Sequence, residues 1–324
     1  MARTIVGILR GGTSGEYELS LKTGSAMHSA LPEDKYDTRD IFVDKRGVWH
    51  ARGMPVTASR ALDQIHVALN AIHGGGGEDG SVQRVLERSG VPYSGSRAFA
   101  SSLSLNKVRG REILKKAGVR IPRGTSFSLG NASLTTADMA QAVFSQFGPP
   151  YVIKPHSGGA SLGIRLATTL HELPDAIGDV LDEFGAALVE EYIRGAEASV
   201  GVIEAFRGEE LYALPPAHVV LPEGHRHIAH EHHLNSLLRH IVPSAFSHAE
   251  KHALMGAARS AHRALGLGHF SRADLIVTPR AVYLLEINAV PGLYPGASFP
   301  LMLDTVGSSV REFAEHSLNL ARSG

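Results

Sequence analysis

The stretch TIVGILRGG at 4–12, with ELSLKTGSAMHSAL after it at 18–31, indicates the class of the fold. Residues 4–9 form a short β-rich run that ends at a pair of glycines. In the second stretch the side chains at 19, 23, 26, 27 and 30 follow the spacing of one helix face. Strand, glycine turn and helix in this order predict an α/β unit with a parallel sheet.

The same unit recurs over the next sixty residues. A second predicted strand covers 38–43, and a third covers 65–72 and runs into HGGGGEDG at 73–80, before a helical pattern at 82–86. Ligands of parallel sheets bind at the carboxyl ends of the strands. The two glycine-rich turns, at 11–12 and 74–77, are therefore candidate site loops.

After residue 105 the pattern changes to mixed α and β elements. We expect helices at 106–118 and 136–147 and strands at 151–154, 187–192 and 197–206. The stretch 214–247 is rich in Pro and His and is expected to be a loop. A long helix is predicted over 247–265, because Ser247 and Glu250 form a capping-box pair at its start.

Composition excludes several function classes. The 324 residues give a prior of about two domains, and the absence of Cys excludes disulfides and thiolate metal sites. Lys plus Arg equal Asp plus Glu at 32 each, which argues against a broad nucleic-acid-binding surface. The apolar run at 4–9 is too short for a signal peptide or a membrane span. We expect a cytoplasmic protein without membrane or nucleic-acid partners, and note an unusual total of 18 His.

A predicted hairpin carries the most informative polar residues. SRADLIV at 271–277 and AVYLLEIN at 281–288 flank a short turn. Because side chains alternate faces along a strand, Arg272 and Asp274 share one face, as do Glu286 and Asn288. If the two faces coincide, two carboxylates and an amide oxygen meet beside a guanidinium, which suits Mg²⁺. The alternative is a hairpin with a solvated polar face.

Other polar residues are ambiguous alone. Lys154 ends a strand before a Gly- and Ser-rich loop, which is either a phosphate clamp without the P-loop pattern or a surface loop. Glu190, Glu191 and Glu197 flank a strand end, which would either serve an adenine and a ribose or form a solvated edge. Lys107 is unremarkable by itself.

Taken in order, the motifs resemble the D-alanine–D-alanine ligase family of the ATP-grasp fold. The resemblance covers nearly the whole chain, and its motifs are GGTSGEYELSL (11–21), HGGGGEDG (73–80), PYSGS (92–96), NK (106–107), YVIKP (151–155), LVEEYIRGAE (188–197) and LLEINAVPG (284–292). It implies a Rossmann-like substrate lobe over 1–105, a central ATP-grasp lobe over 106–197 and a C-terminal lobe over 198–324, which holds the metal site and a His-rich loop at 221–243.

The family activity is the ATP-dependent joining of two D-alanines through an acyl phosphate, for peptidoglycan synthesis. ATP and Mg²⁺, with Mn²⁺ as a substitute, are the implied cofactors, and a homodimer is typical. The resemblance implies ATP contacts at Lys107, Lys154, Ser161, Glu190, Ile193, Glu197, His233 and Leu285, and metal ligands at Asp274, Glu286 and Asn288. It also implies that Glu16 binds the first ammonium beside His73, that Arg272 and Gly292 stabilise the oxyanion, and that Ser298 contacts substrate.

Three departures from the family pattern fall in the substrate half. Ala160 and Ala297 stand where Ser is expected, although Ser298 is adjacent to the second. In the loop motif, His233 replaces a Lys that reaches the γ-phosphate, and Leu234 replaces a Tyr. These changes predict an altered second subsite or a slower, pH-dependent loop. If His233 substitutes for the Lys, activity should rise as the pH falls towards about 6.5, where a His gains charge.

Alternatives remain at this level. The second substrate is another D-amino acid or D-lactate, or the chain binds nucleotide with little turnover. The His-rich loop either binds Zn²⁺ or Ni²⁺ or forms a solvated lid; its histidines are His225, His227, His230, His232, His233 and His240. The histidines of the long helix, His248, His252 and His262, are expected at its surface, and His50, His66 and His171 are expected to be structural or exposed.

Overall fold

The protein, seen in a computed structural model, contains three sheets. The structure describes residues 3–130, 134–159, 161–221 and 238–323. The three sheets occupy successive parts of the chain, with strands at 4–70, 124–191 and 196–288. The division into lobes with boundaries at 105 and 197 stays a prediction.

The first sheet has the strand order β4-β3-β2-β1-β5, and its centre is parallel. It confirms the predicted strand, glycine turn and helix units, and it adds an antiparallel edge of two short strands. The elements are β1 (Thr4–Gly11), α1 (Tyr17–Ala30), β2 (Tyr36–Val43), β3 (Trp49–Ala51), β4 (Met54–Val56), α2 (Ala58–Leu62), β5 (Val67–Asn70), α3 (Gly75–Glu78), α4 (Ser81–Ser89) and α5 (Ala98–Leu105).

The second sheet has the order β6-β9-β7-β8 and is antiparallel. Two helices bury one core on it, in which Val143, Ile153 and Ile177 have no exposed surface. The elements are α6 (Lys107–Lys116), β6 (Gly124–Ser128), α7 (Thr136–Phe144), β7 (Tyr151–Pro155), β8 (Arg165–Ala167), α8 (Leu173–Phe184) and β9 (Ala186–Glu191).

The third sheet has the order β13-β12-β10-β14-β15, with β11 paired to β10. The predicted long helix packs across it and begins with the expected capping box of Ser247 and Glu250. The elements are β10 (Ala196–Phe206), β11 (Glu209–Ala213), β12 (Ala217–Val220), β13 (Arg239–Ile241), α9 (His248–Ala264), β14 (Phe270–Val277), β15 (Val282–Asn288), α10 (Ser298–Thr305) and α11 (Val310–Ser323).

Two expectations for this part of the chain were wrong. The stretch 214–247 was expected to be a loop, yet β12 and β13 lie in it and pair with each other. His262 was expected at the surface of the long helix, but it is 1% exposed and its Nδ1 lies 2.8 Å from Ser271 Oγ. In both cases the partner comes from another strand of the sheet, so the local sequence does not reveal it.

The last helix packs on the first sheet. Phe313 and Leu318 of α11 share a core with Val6 and Ile8 of β1, and α11 also contacts α1 and β5. The beginning and the end of the chain therefore bury a common apolar surface. Across the described ranges, no helix is long and apolar enough to cross a bilayer.

Candidate active site

The hairpin of β14 and β15 has the register that brings its polar residues together. Asp274 is paired with Glu286, and Arg272 is paired with Asn288. The pairing is antiparallel, with a register shift after Asp274. Residues that are directly paired across two strands lie on the same face, so the two polar faces predicted from sequence coincide.

Asp274 is the centre of this face. Arg272 holds its carboxylate with two hydrogen bonds, from Nε at 3.0 Å and from Nη2 at 2.7 Å. Asn288 Nδ2 donates to Asp274 Oδ2 at 3.1 Å, and the Ser199 hydroxyl donates to Oδ1. Burial alone would lower the pKa of the Arg272 guanidinium, but Asp274 turns the net shift upward, so the guanidinium stays charged.

The donor set on this face fits a divalent cation. It offers two carboxylates, Asp274 and Glu286, and the amide oxygen of Asn288, which are the hard ligands that Mg²⁺ prefers. Among the described residues, no group of three or more His, Asp or Glu could hold a metal ion; the hairpin face itself combines two such carboxylates with an amide. Of the six histidines of the alternative Zn²⁺ or Ni²⁺ site, His240 lies on β13 with its Nδ1 2.9 Å from the Gly296 carbonyl oxygen, and the other five lie outside the described residues.

A large cleft separates the second and third sheets. Its cavity measures about 380 Å³ and is bordered by Lys154 and Glu190 from one sheet and by Glu197 and Asp274 from the other. The predicted site residues that line it are Lys154, Ser161, Glu190, Ile193, Glu197, Arg272, Asp274, Leu285, Glu286 and Ser298. Most of the residues expected to contact ATP thus meet in one cavity.

Glu190 is buried in the cleft wall between two cations. It is 2% exposed, and it forms ion pairs with Lys154 and with Arg111. Arg111 also donates to the backbone carbonyl of Pro122. Sequence reasoning missed Arg111, although its position one turn after Lys107 on α6 was an available signal. A buried charge needs such partners, and this trio supplies them.

Lys107 lies beside the Gly- and Ser-rich loop that follows β7, and it does not line the large cleft. Its Nζ donates to the carbonyl of Gly158 and lies 3.5 Å from Glu286 Oε2. Asn106 caps the helix that carries it, by accepting from Arg109 N at 3.0 Å. The cap fixes the start of α6, so Lys107 is held between the loop after β7 and the hairpin.

Glu197 lies at the other end of the cleft. Burial raises the pKa of its carboxyl to about 7, and the carboxylates of Asp274 and Glu286 add to the shift. It lies on β10, opposite Ile276 of β14. A carboxyl that is partly protonated near neutral pH can both donate and accept hydrogen bonds, as a sugar hydroxyl requires.

A second, smaller cavity adjoins the hairpin. It measures about 20 Å³, and its lining is Glu16, Leu19, His73, Arg272, Asn288, Val290, Gly292 and Tyr294. Burial raises the pKa of Glu16 to about 8; the carboxylates of Glu78 and Glu286 add to the shift, and Arg272 opposes it. Burial also lowers the pKa of His73 to about 3. Glu16 is therefore largely neutral at pH 7 while the cavity holds no cation.

Glu78 fixes the loops around this cavity, a role that sequence reasoning missed. Its carboxylate accepts from Gly74 N at 2.7 Å and from Val290 N at 3.1 Å, and the side chain is 5% exposed. It thereby joins the glycine-rich turn after β5 to the segment after β15. The GEDG motif contains it, so the signal was present in the sequence.

The structure also shows the positions of Ala297 and of its neighbour Ser298, where the sequence departs from the family pattern. Ala297 and Ser298 begin α10 and line the large cleft, with 6% and 4% exposure. Ala160, His233 and Leu234 lie outside the described residues. Sequence reasoning did not single out Tyr294, which lines both cavities.

Three sheets with a cleft between the second and third, bordered by Lys154, Glu197 and Asp274, define the class of protein, an ATP-grasp enzyme. The solved structures it resembles include the VanG D-Ala:D-Ser ligase from Enterococcus faecalis, with a TM-score of 0.85 and 24% identity over 99% of this chain and 100% of that one. D-alanyl-alanine synthetase A from Vibrio cholerae gives 0.85 and 25%, with 100% of both chains covered. A D-alanine–D-alanine ligase from Bacillus anthracis complexed with ATP gives 0.79 and 24%, over 99% and 98%.

The chain belongs to the D-alanine–D-alanine ligase family, and it is an ATP-dependent ligase. The model of the D-ala D-ala ligase C-terminus matches residues 113–318. A D-alanine–D-alanine ligase from Desulforudis audaxviator is 34% identical over 318 residues, which are 98% of this chain and 98% of the relative. One from Anaeromyxobacter is 31% identical over 323 residues, 97% and 96% of the two chains. The family resemblance read from the sequence is confirmed.

Proposed function

We propose that this enzyme joins two D-alanines at the expense of ATP, through an acyl phosphate, and makes a dipeptide for peptidoglycan. The observation that carries the proposal is Arg272, which lines both the large cleft and the small cavity. One guanidinium thus borders the place for a nucleotide and the place for an amino acid. Because ATP and the precursors of peptidoglycan are cytoplasmic, we propose that compartment. A homodimer stays a prediction.

The large cleft would hold ATP. Lys107 and Lys154 would contact phosphates together with Ser161, whose positive φ of 58° turns the loop towards the cleft. Glu190, Ile193 and Leu285 would border the adenine, and Glu197 the ribose. This assignment is supported by the burial of Glu190 between two cations, which fixes one wall of the cleft.

Asp274, Glu286 and Asn288 would hold Mg²⁺, or Mn²⁺ in its place. The bound ion supplies positive charge that offsets the charge of the transferring phosphoryl group. The ligand set is supported by the strand register, which pairs Asp274 with Glu286. Arg272 keeps Asp274 oriented through its two hydrogen bonds.

The small cavity would bind the first D-alanine. Glu16 would accept hydrogen bonds from its ammonium and give up its own proton as it does so, with His73 beside it as a neutral wall. The substrate carboxylate would then point at Arg272 and the cleft, where its oxygen attacks the γ-phosphate and ADP leaves.

The second amino acid would enter from the cleft. Its amine attacks the activated carbonyl, and phosphate leaves with the oxygen that linked it to the carbonyl carbon. Arg272 and the backbone N–H of Gly292 would stabilise the oxyanion, contacts typically worth on the order of 3 kcal/mol each. Ser298, buried at the start of α10, would contact the incoming substrate. Ala297 at this wall favours a second candidate, in which another D-amino acid or D-lactate is the acceptor.

The test is phosphate release from ATP with a panel of D- and L-amino acids and D-lactate, with each product identified by mass. We expect D-alanyl-D-alanine from D-alanine alone. A larger rate with D-alanine plus D-lactate, and an ester product, would establish the second candidate. Nucleotide binding without turnover on any pair would contradict the ligase proposal.

A further inference from the structure

Tyr294 lies where the two cavities meet. It and Arg272 are the two described residues that line both the large cleft and the small cavity. Its ring packs against the backbone of Gly292, where a Cβ would lie 2.8 Å from Tyr294 Cε1. The side chain therefore borders the point at which an acyl phosphate in the small cavity faces an amine arriving from the cleft.

The phenol is an available hydrogen-bond donor at this junction. Burial raises the pKa of Tyr294; Arg272 opposes the shift, and the carboxylates of Glu16 and Asp274 add to it. The hydroxyl therefore keeps its proton at neutral pH. Arg272 already uses two donors on Asp274. The Tyr294 hydroxyl has no hydrogen-bond partner within the described ranges.

Charges of both signs lie around the ring, and that of Arg272 acts on it most strongly. Lys22 Nζ lies 6.0 Å from the centre of the Tyr294 ring, and Arg272 adds a second positive charge nearby. The same wall contains Ala297, whose N–H donates to the Tyr294 carbonyl at 3.1 Å and whose side chain has no hydroxyl. The wall therefore has no side-chain hydroxyl at Ala297, and it has one three residues earlier, at Tyr294.

We propose that the Tyr294 hydroxyl binds the carboxylate of the second substrate and takes the place of the hydroxyl that Ala297 lacks. This inference rests on the proposed ligase function. The acceptor carries one carboxylate, which takes no part in the bond that forms and needs a donor to orient the amine. Tyr294 is thus an acceptor-binding residue, and it would serve an amino acid and a 2-hydroxy acid equally.

The test compares Tyr294→Phe with Tyr212→Phe, which removes the same atom from β11, outside both cavities. Steady-state kinetics with D-alanine give one KM for each subsite. Loss of a hydrogen bond to a charged group predicts that Tyr294→Phe raises the second KM about 10- to 100-fold. The first KM, the KM for ATP and the melting temperature should match those of Tyr212→Phe.

Hydroxylamine separates the two half-reactions. Its nitrogen attacks the acyl phosphate, phosphate leaves and D-alanyl hydroxamate forms, with no acceptor carboxylate involved. We expect Tyr294→Phe to form hydroxamate within twofold of the unaltered enzyme. A parallel loss of hydroxamate, or an unchanged second KM, would overturn the role of Tyr294. If the unaltered enzyme forms no hydroxamate, the proposed function fails instead.

Discussion

The hairpin face and the small cavity both contain carboxyl groups around Arg272, yet they treat the charge in opposite ways. On the hairpin, Asp274 receives two hydrogen bonds from Arg272 and one each from Asn288 and Ser199. In the cavity, Glu16 is buried near Glu78, and its pKa rises to about 8. One region stabilises negative charge before any ligand arrives, and the other suppresses it.

The difference follows from the ligand that each region would receive. A preformed carboxylate suits a divalent metal ion, which would replace part of the stabilisation that Arg272 gives. A buried carboxyl that is neutral without ligand ionises only when a bound cation offsets the cost of burying its negative charge. An ammonium can do so and a neutral ligand cannot, so such a carboxyl favours ligands with an ammonium. The comparison indicates that the hydrogen-bond partners and neighbouring charges of each buried carboxyl group set its charge state. Each of the next three substitutions tests this statement.

The largest effect is expected at Asp274. Asp274→Asn keeps the shape but removes a negative charge from the proposed Mg²⁺ ligands, and we expect kcat to fall about 1000-fold, or about 4 kcal/mol. The measurement is phosphate release at saturating ATP and D-alanine. Asp304→Asn changes an exposed carboxylate on α10 and serves as the control. A loss below tenfold would show that the metal binds elsewhere.

The next effect is expected at Glu16. Glu16→Gln removes the charge that would pair with the ammonium of the first D-alanine, and the KM of that subsite should rise about 100-fold. Because the pKa of Glu16 is about 8 without ligand, binding of D-alanine at pH 7 should also release a proton. Calorimetry in two buffers of different ionisation enthalpy detects the proton. Glu18→Gln, at an exposed site two residues away, should keep the release, and its persistence in Glu16→Gln would refute this account.

The smallest effect is expected on stability, at Glu197. The pKa of this carboxyl is about 7 in the folded protein, above its usual 4.5, so its stabilising contribution is complete below pH 4.5 and is lost as the pH rises through 7. Glutamine does not ionise. Between pH 5 and pH 8, Glu197→Gln should therefore gain on the order of 2 kcal/mol in free energy of unfolding relative to the unaltered protein.

Denaturant unfolding without nucleotide measures this change. Glu209→Gln, at an exposed position on β11, provides the baseline, with no pH-dependent difference expected. An equal difference at pH 5 and pH 8 for Glu197→Gln would show that Glu197 is ionised throughout. In that case the contrast between Asp274 and the acids with a raised pKa would not extend to Glu197.

Local periodicity predicted the parts of the fold that depend on neighbouring residues. The hairpin followed from alternation alone, because period two fixes which side chains share a face. Helix α9 followed from the capping box at Ser247. Strands β12 and β13 were missed because they are four and three residues long, and because β12 pairs with the distant β10 while β13 pairs with β12. The histidines in that stretch made a loop the simpler interpretation.

The site was predictable wherever a motif contained the residue, and much less so where the fold brings distant segments together. Lys154 and Glu197 were found through the family pattern. Arg111 meets Glu190 across 79 positions, and no local feature marks that ion pair. Tyr294 lines both cavities, a property that only the folded structure reveals. His262 resembled a surface helix residue until the sheet placed Ser271 beside it.

The packing of α11 on the first sheet has a consequence for synthesis. The sheet forms from the first seventy residues, but the apolar face that includes Val6 and Ile8 is covered by a helix at 310–323. On the ribosome, Met27 and Leu31 at the end of α1 cover part of this face, and the rest stays open until the helix at 310–323 has been translated and has left the exit tunnel. Closure of this core is therefore among the last events of folding.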